Sequence, residues 1–191
     1  MTQEQKYVVE KTFPNFEVRL YEPCVLADVT VSSDFQSAGS IAFRSLIGYI
    51  SGNNEPNSKI AMTSPVVQET NAKASSTKIA MTSPVIQEIT NDSQVVSFVM
   101  PAGMTLKDLP LPTNSKVSLR QLPEQLVAVS KFTGRWTEAA YDRQLAQLKQ
   151  QLKANGITET GSPRIARFDP PWTPWFMRRN EIQIPIATPT Q

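Results

Sequence analysis

Pro23, Leu26, Val29 and Thr30 recur one hundred residues later as Pro123, Leu126, Val129 and Ser130, and the chain around the two sets reads alike. In the first half, YVVEKTF and FEVRLYE alternate around Pro14-Asn15, and VLADVTV alternates after Pro23. Alternation at period two marks a strand with one buried face, and a proline between two such runs marks a turn. VSLRQLPEQLVAVSKFTG repeats the arrangement in the second half. A helix follows in each half. Ser33 and Asp34 are placed to accept hydrogen bonds from the first free amides of a helix through FQSAGSIAFRSLIGYIS, which Gly52 closes. Thr137 caps a second helix, with Tyr141, Leu145, Leu148 and Leu152 at spacings of four, three and four before Asn155-Gly156. SQVVSFVMP, RIARFD and EIQIPI read as further strands, and the proline-punctuated 101–114 as a long connection between the halves. Two copies of strand-strand-helix-strand-strand imply an α+β domain in which similar units combine their antiparallel sheets. The first helix has apolar residues too widely spread for one narrow core stripe, so one side can pack on a sheet while the other faces a ligand.

A shorter repeat lies inside this arrangement. KIAMTSPVVQE at 59–69 returns as KIAMTSPVIQE at 78–88, with Val67 replaced by Ile86. Two units do not make a solenoid, which needs three or more to bury a continuous core. The copies either pair as a hairpin, with a register that puts both apolar sets on one face, or compete for one slot in the sheet. One ordered copy in the slot, with the other in an extended hairpin or loop, is the favoured expectation. Pro65 and Pro84 cannot donate to a ladder and predict edge placement.

Composition removes many functions. A chain of 191 residues with 40% hydrophobic content and a net charge of +2 suits one globular domain and lacks the basic surplus of a nucleic-acid binder. No apolar run is long enough for a membrane span, and MTQEQKYVVEKTF shows no signal-peptide region, so a cytoplasmic protein is expected. With no histidine, the Ser-His and Cys-His systems, the HExxH metal site and the commonest haem ligand are all excluded. Cys24 is the only cysteine and reads as a small buried hydrophobe.

RFDPPWTPWFMRRNEIQIPI at 167–186 is the second distinctive segment. Its prolines would present Trp172, Trp175, Phe176 and Met177 with little ordering entropy. The loop either packs these aromatics over the sheet end or offers them to a ligand.

Together, KIAMTSPV, SFVMP with LKDLPLP, FTGRW and DPPWTPWFMRRNE resemble the SOUL or haem-binding protein family, over nearly the whole chain from YVVEKTFPNFEVRLYEP to the final strand. The resemblance implies a single domain over 1–191, α+β in class. Its sheet would be a distorted, barrel-like antiparallel one flanked by two helices, built as a pseudo-symmetric pair of βαββ-type units. It further implies non-covalent binding of haem or another tetrapyrrole in a shallow apolar groove beside the first helix.

A porphyrin is a flat apolar disc with two carboxylates, so its site needs apolar walls and cations at the rim. Phe43, Leu46, Ile47 and Ile50, with Met62, Trp172, Trp175 and Phe176, are the candidate walls; Arg44, Lys59, Arg178 and Arg179 are the candidate cations. With no histidine to ligate iron, Tyr49, Met62, Met81 or Cys24 are the remaining ligand types, and binding by packing and carboxylate contacts alone is the plainer expectation. Iron-free and iron porphyrins should then bind alike. The leading expectation is a monomeric, non-catalytic tetrapyrrole carrier. The alternatives are a sensory or interaction domain for another amphipathic ligand or apolar peptide, and an enzyme that modifies tetrapyrroles using a carboxylate.

Overall fold

The computed structural model describes residues 3–56, 76–90, 93–170 and 172–188. Nine strands form one antiparallel sheet: β1 Tyr7–Thr12, β2 Glu17–Tyr21, β3 Cys24–Val31, β4 Val85–Thr90, β5 Ser93–Val99, β6 Val117–Leu122, β7 Gln125–Thr133, β8 Arg164–Arg167 and β9 Arg179–Pro185. Helix α1, Phe35–Ile50, follows β3; helix α2, Glu138–Ala154, follows β7. The spatial order is β6-β3-β5-β4-β8-β9-β7-β2-β1.

That order is symmetric about the β4/β8 pair. On one side β3-α1-β4-β5 makes a βαββ unit with β5 between β3 and β4; on the other β7-α2-β8-β9 places β9 between β7 and β8. The remaining strands cross over. β2 runs through the Pro23 turn into β3 yet pairs with β7 of the other unit, and β6 runs through Pro123 into β7 yet pairs with β3. Each half therefore donates a strand to the other, curling the sheet into a half-barrel.

Local chemistry sets the helix ends. The Asp34 carboxylate accepts from the backbone amides of Gln36 and Ser37 at 3.0 and 2.9 Å, and the Thr137 hydroxyl accepts from Ala140 at 3.2 Å. Gly52 at φ +118° and Gly156 at φ +66° take the left-handed conformations that end each helix. Ala38, Ala42, Leu46, Tyr49 and Ile50 of α1 pack with Val25, Ala27, Val29, Val96 and Phe98, whereas Tyr141, Leu148 and Leu152 of α2 pack with Ala128, Ile165, Ile182 and Ile184. Each fully buried aliphatic side chain in these clusters contributes about 1.5–3 kcal/mol.

The opposite, concave face of the sheet is polar at its centre. Arg19 on β2 is fully buried and donates to Glu181 on β9 at 3.1 Å and to Tyr21 Oη at 3.0 Å, with Glu17 at 2.7 Å on its other side. Burial opposes the Arg19 charge, but Glu181, Tyr21 and Glu17 together outweigh it and raise the pKa. Tyr21 is pushed up to about 12 by burial and by Glu181. Cys24 lies on this face, buried with Leu26 and Ile86, its thiol pushed up to about 11 by burial. It is the inert small hydrophobe that its solitary occurrence implies.

The second copy of the repeat occupies the sheet. Thr82-Ser83 pairs with Gln3-Glu4, and the copy continues into β4, which is the central strand between β5 and β8. The first copy, 59–69, and the hairpin register between copies lie outside the described residues. The edge position expected from Pro84 is corrected: Pro84 stands immediately before Val85, the first residue of β4, so its missing N–H falls outside the ladder and the strand can be central.

Candidate functional site

Directly opposed residues of neighbouring strands point to the same side of a sheet. Ala27, Phe98, Val85, Arg167, Asn180 and Phe132 are successive partners across β3, β5, β4, β8, β9 and β7, and so form one row on the helix-covered face. The row crosses the pseudo-symmetry axis between β4 and β8.

Walls rise from both ends of this row. On one side stands α1: Phe43 meets Phe98 edge-on at 5.4 Å, and Gly39, one turn earlier, lies against Arg167 so closely that a Cβ there would be 2.8 Å from Nη1. On the other side stands Trp136, whose indole Nε1 donates to Asn180 Oδ1 at 2.5 Å. Arg167 lies between, its guanidinium 5.0 Å from the Trp136 ring and 5.5 Å from the Phe35 ring. The late loop closes this end. Arg178 sits over Trp136 at 4.5 Å and donates from Nε to the Thr173 carbonyl at 2.8 Å, and Arg135 lies over Trp175 at 5.6 Å. The strip between Phe43 and Trp136, with its aromatic and cationic border, is the candidate slot.

The residues singled out in the sequence divide among three places. Phe43, 39% exposed, and half-buried Ile47 lie on α1 as candidate wall residues, and Arg44 is exposed on the same helix. Trp172, Trp175 and Phe176 are on the loop at 83%, 50% and 60% exposure, with Trp175 and Phe176 edge-on at 5.7 Å and Arg178 beside them. Leu46 and Ile50 are instead in the core, where α1 turns them onto the sheet; the broad apolar spread of this helix hid which positions those were. Arg179 is corrected too. It faces Glu4 at 2.7 Å and stacks on Phe168 at 3.6 Å, so its charge is already engaged. Lys59 and Met62 lie outside the described residues. Trp136 and Arg167 were missed. FTGRW contained the tryptophan as a family motif, but nothing in it indicated that its ring faces α1, and RIARFD reads as a strand with exposed charges.

A second depression, about 570 Å³, lies on the other flank of α1 against the β3/β6 edge. Ser32, Ser45, Ser115 and Ser118 line it together with Thr30, Lys116 and the apolar Val29, Val31 and Ile41. It has no aromatic wall.

The family model for SOUL heme-binding protein matches residues 2–77 and again 67–185. This chain belongs to the SOUL heme-binding protein family. The two matched stretches of this SOUL chain meet between its copies of KIAMTSPV, as they should if one copy is an addition. It is 28% identical over 174 residues to heme-binding protein 1 of Xenopus tropicalis, covering 91% of this chain and 84% of that one. It is 28% identical over 143 residues to heme-binding protein 2 of Mus musculus, covering 74% of this chain and 63% of the mouse protein's length. Among solved structures, the C-terminal domain of EcmrR superposes with a TM-score of 0.61 at 13% identity, covering 95% of this chain and 98% of that one. An uncharacterized conserved protein from Listeria innocua superposes with a TM-score of 0.58 at 14% identity, covering 91% and 92%. At these identities the two structures share the fold.

Of the remaining iron-ligand types in this SOUL-family chain, Tyr49 and Cys24 are buried. Tyr49 is buried in the core, donates its hydroxyl to the Pro110 carbonyl at 2.9 Å, and is pushed up to about 12 by burial. Cys24 is on the far face of the sheet. Met81 is exposed, and Met62 lies outside the described residues. Among the described residues no group of three or more His, Cys, Asp or Glu converges as a metal site, and no helix is long and apolar enough to cross a membrane.

Proposed function

We propose that this protein binds haem or a related tetrapyrrole, non-covalently and without catalysing its conversion, in the slot between Phe43 and Trp136. The observation that carries the proposal is the row from Phe98 through Val85 to Arg167, with Phe43 against Phe98 at one end and Trp136 against Arg167 at the other, beside a loop that holds Trp175 and Phe176 exposed. A flat apolar ring gains from such walls by burial and by offset stacking, worth about 0.5–1.5 kcal/mol per aromatic pair beyond area. Arg178 lies over Trp136 at this end, and a cation beside an apolar ring can meet a ligand carboxylate. Family membership and the names of the relatives from Xenopus tropicalis and Mus musculus support the same ligand class.

Bound iron would supply spectroscopic and redox chemistry. The chain's own contribution is packing and charge, since it has no histidine and its Tyr49 and Cys24 are buried away from the slot. Haemin and protoporphyrin IX should therefore bind with affinities within about a few-fold of each other, because a strong axial ligand would favour only the iron form. Titrating each separately, with the Soret band and tryptophan fluorescence followed, tests this. Saturable binding of both supports a carrier. Saturation with neither contradicts it, and slow conversion of one spectrum into the other indicates an enzyme instead.

A further inference from the structure

Arg167 carries a charge that no described residue neutralises. The side chain is 9% exposed, and no carboxylate among the described residues lies within ion-pair distance of it. Its Nη2 donates to the neutral amide oxygen of Gln87, Nε is buried with no acceptor, and Nη1 has none among the described residues. The aromatic faces of Phe35 and Trp136 offer it only their weak quadrupoles. Burial pulls its pKa down to about 10, which leaves it charged at neutral pH.

Three other arginines of the sheet meet carboxylates, and Arg164, like Arg167 without one, has its donors met by amides. Arg19 meets Glu17 and Glu181, Arg120 meets Asp28 and Glu88, and Arg179 meets Glu4. Arg164, buried on the concave face, has Gln183 at 3.0 Å, and the Gln125 amide, turned about, accepts from both of its Nη atoms at 3.2 and 3.1 Å. Burying an unpaired charge with open donors is costly, and a position that bears this cost at the bottom of a slot is suited to an incoming anion. Gly39 spares this guanidinium a clash: with no Cβ it lets α1 lie against Nη1, where a Cβ would stand 2.8 Å away.

We propose that Arg167 is the specificity-determining cation of the slot: it receives a carboxylate of the ligand, so the site selects an anionic apolar ring over a neutral or cationic ring of the same shape. The identity of the ring rests on the tetrapyrrole reading; the sign of its charge rests on Arg167. Arg44 is exposed, Arg178 donates to the Thr173 carbonyl and Arg179 pairs with Glu4, so Arg167 differs from them in being buried without a carboxylate.

Protoporphyrin IX and its dimethyl ester differ in the two charges and two ester methyls, and the change in their affinity ratio between wild type and variant isolates the charge. The wild-type protein should prefer the diacid by about tenfold to a hundredfold, the range for a hydrogen bond to a charged partner. Arg167→Gln should bring the ratio to within about twofold while ester affinity is kept. Arg167→Lys should restore part of the preference. Gly39→Ala keeps the charge but would set a Cβ 2.8 Å from Nη1, so it should also reduce the ratio, and it tests the point if Arg167→Gln fails to fold. An unchanged preference in folded Arg167→Gln or Gly39→Ala overturns this assignment alone. Failure of the wild-type protein to bind either ring overturns it together with the tetrapyrrole reading.

Discussion

Counted from their caps, Asp34 and Thr137, the two helices carry Phe43 and Ala146 at the same place. The helices occupy symmetry-related positions on one sheet, yet only α1 has aromatic and aliphatic side chains left over after the core is made: Phe43 and Ile41 are exposed, whereas α2 buries Tyr141, Leu148 and Leu152 and gives solvent mainly Lys, Arg and Gln. α1 also has small residues at Ala38, Gly39 and Ala42, letting it lie close to the sheet and to Arg167. The scaffold is symmetric and the site is not. The two βαββ units supply equivalent floors, and the proposed slot lies beside the helix with a surplus apolar side.

The comparison is broken most severely at the interior the halves share. Arg19→Met should leave Glu181 buried with its main partner gone and cost about 3–5 kcal/mol in urea unfolding, because an uncompensated buried charge is expensive. Next come matched core truncations. Leu46→Ala in α1 and Leu148→Ala in α2 should each cost about 2–5 kcal/mol, but only the first should also weaken tetrapyrrole binding, since Leu46 supports the wall that bears Phe43. A smaller effect separates the caps. Thr137→Ala should cost about 1 kcal/mol at any pH between 3 and 8. Asp34 behaves otherwise: amide hydrogen bonds from Ser37 and Gln36 hold its carboxyl below the usual range, so its contribution is present above the unfolded value of about 3.9 and is lost as pH falls through the folded one. Asp34→Thr should flatten the acid limb of the stability curve, and Thr137→Asp should steepen it. The smallest expected change is Lys149→Ala on the exposed face of α2. It breaks a 3.5 Å surface pair with Glu159 and should cost no more than about 0.5 kcal/mol.

Much of the architecture was legible because it is written locally. Both caps, both glycine stops, the alternating strands and the hundred-residue echo each follow from period and turn chemistry, and the family motifs joined them into a fold. What alternation does not encode is the partner. VSLRQL shows a strand with one buried face, but nothing in it says that β6 leaves its own half to pair with β3. The same limit hid the slot. Leu46, Ile50 and Phe43 are all apolar residues of one helix, and only the direction in which α1 meets the sheet separates core from wall. Arg167 was hidden by its type, since an arginine near the end of a strand is ordinarily solvated, and Pro84 misled because one residue separates a proline in a ladder from one before it.

The central claim is that the symmetric sheet binds its ligand on one side only, between Phe43 and Trp136. Chemical-shift mapping with zinc protoporphyrin IX on labelled protein tests it most directly. Perturbations gathered at Phe43, Val85, Trp136 and Arg167, and lost in Phe43→Ala, are the expected result. Perturbations confined to Ser32, Ser45, Ser115 and Lys116 on the other flank of α1, or to the outer face of α2, would contradict it.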